Sequence, residues 1–181
     1  PWATAAFALA LALRFALAAP GWPAVNSDES MVGLEAMHIA FRGEHPIFLY
    51  GQDYMGMLEA YLGALSFRLF GVSSFALRLG LVLLYALFLV AMYALARTLY
   101  DRRVARWTLL LLALGSPALF LRQLQAVGGT LETIAFGAVT LLLAARLALS
   151  AGAPRHRRGR RALAFFGWGL AAGLGIWSHL L

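Results

Sequence analysis

The stretch NSDESMVGLEAMHIAFRGEHPIFLYGQDYMGMLEAYLGALSFRLF, Asn26 to Phe70, decides how this chain is read. It is polar, acidic and aromatic, and it lies between two long apolar runs. It carries Asp28, Glu29, Glu35, Glu44, Asp53 and Glu59, six of the chain's eight carboxylates. The arginine runs lie elsewhere, at Arg102-Arg103 and across residues 155–161. Acids and arginines sorted into different loops between apolar spans describe the two sides of a membrane.

Composition agrees. The chain is 62% hydrophobic and 13% charged, with a mean hydropathy of +0.76. Soluble domains run at about 45–50% apolar and about 25% charged. The formal charge of +7 would ordinarily raise nucleic acid as a partner. Here the arginines cluster in short loops beside apolar spans, so the membrane accounts for the charge and nucleic acid is set aside. There is no cysteine, hence no disulfide framework and no thiolate metal site. All fifteen basic residues are arginine, which with the Ala, Leu and Gly content suggests a GC-rich bacterial genome. The chain starts at Pro1 and stops within an apolar run, the pattern of a piece of a longer protein.

Five segments qualify, or nearly qualify, as membrane-spanning helices, each needing about 20 apolar residues. They are residues 2–19 (interrupted by Arg14), 76–100, 104–121, 131–149 and 162–181. None shows the two-residue alternation of a barrel strand. The expected fold is all-α, a polytopic membrane helix bundle over residues 1–181. By the positive-inside rule both arginine loops face the cytoplasm, which puts the loop 20–75 and the segment 122–130 outside. Residues 11–20 also resemble a signal-peptidase site after an apolar core, although Arg14 interrupts that core. Cleavage would leave the sidedness of the rest unchanged.

The outer loop is long for a connection and reads as structured. Asn26 or Ser27 can cap a helix over 28–42, with Glu29 in the favourable first turn and Gly43 ending it. A second helix is expected over 55–70, with residues 46–51 extended or turning. Two amphipathic helices of sub-span length beside a membrane most simply lie in its interface.

Three sets of residues could carry chemistry. Asp28 and Glu29 sit just after the first span, where partial desolvation suits a carboxylate to general-base work. A helix start also favours acids on electrostatic grounds alone. Asp53 and Glu59 could bind a divalent cation through hard oxygen ligands, although a turn followed by a solvated helix face is the simpler explanation of them. His38 and His45 lack metal-ligand spacing. Glu132 stands at the outer end of the fourth span, either functional or reaching water. Arg14, Arg78 and Arg122 lie near the same outer face. They could bind a phosphate or pair with these acids.

The layout resembles the C-type (GT-C) membrane glycosyltransferases, in particular the dolichyl-phosphate-mannose–protein mannosyltransferase-like group that includes bacterial aminoarabinose transferases. The residues that carry the likeness are Asn26-Ser27-Asp28-Glu29, then Tyr50-Gly51-Gln52-Asp53-Tyr54-Met55-Gly56, then residues 69–79 leading into the second span, and finally residues 169–177. The resemblance implies that this is the N-terminal part of such an enzyme. Asp28 matches an essential Asp of the first outer loop, Asp53 an acid near the metal or lipid phosphate, and Glu132 a second essential acid. Many members carry a Lys-Pro-Pro-like stretch where this chain has Met55-Gly56-Met57, so specificity does not transfer. The implied donor is a polyprenyl-phosphate-linked sugar, and the acceptor a lipid, a glycan or a protein. The implied place is the outer face of a bacterial cytoplasmic membrane. The alternative readings are a transporter, which would hold its charges mid-span, or a non-enzymatic scaffold, which gives no reason for an acidic structured loop.

Overall fold

A computed structural model describes residues 2–150 and 158–179. The second arginine loop therefore lies largely outside the described residues, and so does the end of the fifth expected span. The described residues form α1 (Trp2–Ala18), α2 (Ser27–Arg42), β1 (Phe48–Leu49), β2 (Gln52–Gly56), α3 (Leu58–Phe70), α4 (Ser74–Leu99), α5 (Arg102–Ala113), α6 (Pro117–Leu124), α7 (Thr130–Leu149) and α8 (Arg158–Ser178). The fold is all-α, apart from one small hairpin in the loop.

The 26-residue α4 is the centre of the bundle. It packs against α1, α3, α5 and α7. Its buried face holds Leu77, Leu81, Leu84, Tyr85 and Leu89, while Leu83, Leu87 and Val90 are exposed. Large exposed apolar side chains also line α7 (Ile134, Leu141) and α8 (Leu163, Phe166, Leu170, Ile176). Water would penalise such surfaces, and lipid would not. The helices α3 and α4 approach closely at Gly80, where a Cβ would come 2.7 Å from the Leu62 Cβ. Small residues at such crossings are how membrane helices gain packing contacts.

The expected count of about five spans is not confirmed among the described residues. Among the described residues two helices, α4 and α7, are long and apolar enough to cross a membrane, three if a bent helix pair is taken as one span, and α1 is a shorter apolar helix. The expected span 104–121 is two helices, α5 and α6, bent by 80°. The break lies at Leu114-Gly115-Ser116. Pro117 disfavours helical geometry in the residue before it, and it opens α6 well because it lacks an N–H to waste. Ser116 Oγ caps the new helix by accepting from Leu119 N at 3.4 Å.

The loop helices form much as expected. Asn26 Oδ1 accepts from Glu29 N at 2.8 Å, and the C-cap Gly43 has φ 70°. The second helix starts three residues later than expected. Residues 52–56 pair with Phe48 and Leu49 as an antiparallel hairpin around Gly51.

Candidate active site

Adjacent residues of a helix point in directions about 100° apart, and the first turn of α2 uses this. Asp28 is exposed and, among the described residues, makes no side-chain hydrogen bond or ion pair. Glu29 turns inward and is buried. Both of its oxygens meet Arg78 of α4, with Oε1 accepting from Nε at 2.7 Å and Oε2 from Nη2 at 2.7 Å. The same Nη2 donates to the Pro23 carbonyl at 2.7 Å. This fork ties the chain entering α2 to the central helix, and Arg78 Nη1 stays buried without an acceptor among the described residues. A bidentate arginine–carboxylate pair is the strong form of such a contact.

Arg14 is also engaged. All five of its N–H donors are used, on Gln123 Oε1 (2.7 and 3.2 Å), Ala10 O (3.1 Å), Leu112 O (3.2 Å) and Ala113 O (2.7 Å). Its guanidinium lies between the rings of Tyr85 and Phe120, 4.2 and 4.1 Å from their centres. It thus satisfies the carbonyls freed where α5 ends. Of the three arginines expected at a donor phosphate, Arg14 and Arg78 are buried in such partnerships, and Arg122 on α6 is exposed. Gln125 Nε2, just past α6, donates to Ala24 O at 3.0 Å, which brings the end of α6 beside the entry to α2.

Glu132 does not reach water. It is fully buried in the first turn of α7, against Glu59 in the first turn of α3. Gly128 N donates to Glu59 Oε2 at 3.0 Å, and among the described residues no N–H or hydroxyl of another residue reaches the other three carboxyl oxygens, which leaves the two carboxyls to each other. Burial, and then the neighbouring Glu132 carboxyl, hold the Glu59 carboxyl well above the usual range. The turn above them is tight. Gly129 has φ 70°, and a Cβ there would collide with the Ser178 carbonyl. Here the hairpin, the 128–129 turn and the end of α8 converge, with Met55 bridging to His179.

Asp53 is exposed on β2 while Glu59 is turned into the core. Among the described residues no three of His, Asp and Glu are grouped as a metal ion needs. Asp53 thus faces solvent while Glu59 faces Glu132.

One cluster was missed in the sequence. Tyr50 Oη donates to a Glu44 carboxylate oxygen, and His38 Nδ1 lies 3.1 Å from the same hydroxyl and 3.5 Å from Glu44 Oε2. Tyr50 N donates to Glu35 Oε2 at 3.3 Å. Burial pushes the Glu35 carboxyl up to about 7, and the Glu44 contact pushes the Tyr50 hydroxyl up to about 12. The only hint was spacing: Glu35 and His38 are three residues apart, on one side of α2.

The dolichyl-phosphate-mannose-protein mannosyltransferase family model matches residues 55–180, well over half of the chain. The chain belongs to this family. Glu59 and Glu132 fall within the matched residues, and Asp28 precedes them. The fold is also similar to that of the Archaeoglobus fulgidus oligosaccharyltransferase in its apo form, with a TM-score of 0.72 and 18% identity over 98% of this chain. This chain spans 24% of that protein's length. No curated protein matches this chain. The family is one of membrane glycosyltransferases, and the chain is read as a membrane protein on that ground and on its apolar helices.

Proposed function

We propose that this chain is the N-terminal part of a glycosyltransferase that moves a sugar from a polyprenyl-phosphate donor to an acceptor at the outer face of a cytoplasmic membrane. The observation that carries the reading is the division of labour in the first turn of α2. Glu29 is consumed by Arg78, which leaves Asp28 exposed and unpaired on a helix start fixed by that same pair. A base needs both a free carboxylate and a rigid mount.

In this reading Asp28 takes the proton from an acceptor hydroxyl or amine. The acceptor attacks the anomeric carbon as the bond from that carbon to the phosphate oxygen breaks. The electron pair leaves on the polyprenyl phosphate, and Arg122, exposed on the helix whose end lies beside the entry to α2, supplies the cation for that charge in this reading. Arg78 and Arg14 hold the frame. Glu132 and Glu59 act from beneath, through the 128–129 turn, and Asp53 lies on the open side of the hairpin. No step is routed through a metal.

The donor class is testable directly. Proteoliposomes holding the full-length protein should transfer a labelled sugar from a polyprenyl-phosphate sugar and not from the matching nucleotide sugar. Transfer from the nucleotide sugar alone would remove the lipid-linked donor from the account. Movement of a solute across the vesicle without transfer would favour a transporter.

A further inference from the structure

The end of the bundle away from the acidic loop holds a second built feature. The helix α4 begins at the loop and ends at Leu99, and α5 starts three residues later. There α1 and α5 run side by side in the same direction. Trp2 and Ala6 lie by the first turns of α5, while Arg14 reaches the end of α5. Between the helix starts is a cavity of about 280 Å³ lined by Trp2, Ala6, Arg103, Arg106, Trp107 and Leu110.

The chemistry of that lining is divided. Arg103 and Arg106 are exposed, and among the described residues neither makes a hydrogen bond or an ion pair. The one acid at hand, Asp101, spends an oxygen on Val104 N at 2.8 Å as the cap of α5. Positions 103, 106, 107 and 110 form one stripe of α5, and Ala105, Leu109 and Ala113 on the other side are buried. Two free guanidinium groups ask for an anion, and phosphate suits them best. The remaining walls are apolar, and Trp2 and Trp107 are 76% and 56% exposed at the end of a membrane bundle. Tryptophan favours the level of the lipid headgroups. A soluble anion would have no use for such walls, whereas an acyl chain would.

We propose that this cavity binds one anionic phospholipid, with its phosphate on Arg103 and Arg106 and its acyl chain against Ala6, Trp107 and Leu110. The site is distinct from the donor site proposed at the other end of α4 and does not depend on it.

The full-length polypeptide in mild detergent, titrated with phosphatidylglycerol or phosphatidylcholine and read by native mass spectrometry, tests this. Phosphatidylglycerol should be retained in preference to phosphatidylcholine. The double variant Arg103→Gln/Arg106→Gln should weaken phosphatidylglycerol by about 25-fold, about five-fold per arginine. Arg97→Gln removes an exposed charge from the end of α4, outside the cavity, and should change retention less than two-fold. Trp107→Ala should weaken both lipids. All these side chains are exposed, and unchanged thermal unfolding of each variant checks that the fold is kept. Equal retention of the two lipids, an equal loss in Arg97→Gln, or displacement of the lipid by millimolar inorganic phosphate would overturn the proposal.

Discussion

Two neighbouring acids, Asp28 and Glu29, have opposite fates, and the reason is a partner 49 residues away. Sequence places both at the start of a helix; only the fold supplies Arg78 to one and solvent to the other. Glu35 shows the same dependence on environment. Its burial between α2 and the Tyr50 strap raises its carboxyl from 4.5 to about 7. The folded state then holds a proton that the unfolded state has released across that window, so stability falls as pH rises through it. Glu35→Gln cannot titrate. The wild-type thermal midpoint should therefore drop relative to the Glu35→Gln midpoint between about pH 4.5 and pH 7, and parallel curves would contradict the assigned burial. Glu44 and Glu29 were legible as acids in the loop, but their partners were not, because hydrogen bonds across the loop leave no mark on spacing.

At the scale of elements, α2, α4 and α7 were legible to within a few residues. Each has its own local cause: the Asn26 cap and Gly43 stop for α2, and uninterrupted apolar length for α4 and α7. Two elements were not. The hairpin at 48–56 hides because its two-residue turn at Tyr50-Gly51 follows a strand of only two residues, too short for alternation to show. The break between α5 and α6 hides because apolar composition runs straight through it. Gly115-Ser116-Pro117 was the visible signal, and hydropathy outweighed it. What holds the bend is Arg14, which sequence places in an apolar helix with no hint of its acceptors. Hydrogen bonds from a charged group are worth about 1.5–3 kcal/mol each. Arg14→Leu orphans Gln123 and the carbonyls of Leu112 and Ala113, and should cost about 3 kcal/mol or more in denaturant unfolding. Arg122→Ala, on exposed surface, should change stability by about 0.5 kcal/mol or less. A small loss in Arg14→Leu would show that the bend does not rest on this residue.

For the whole molecule, sidedness is the claim that joins the parts. The chain has no cysteine, so single cysteines report position without background. Val72→Cys, exposed before α4, and Ser150→Cys, at the end of α7, should label from opposite faces of intact cells, with Val72→Cys outside. Labelling of both from one face would undo the topology. The Glu59–Glu132 pair, which joins α3 to α7, is legible only at this scale, since its members are 73 residues apart and each alone reads as a helix start. The central claim is that Asp28 is the base for sugar transfer, and one substitution separates it from a structural role. Asn26 caps α2, and Asp28 makes no side-chain hydrogen bond or ion pair among the described residues. In proteoliposomes supplied with a polyprenyl-phosphate sugar, Asp28→Asn in the full-length protein should cut transfer by about 10²–10⁴-fold with thermal unfolding unchanged. Near-normal transfer by a folded Asp28→Asn protein would contradict the account.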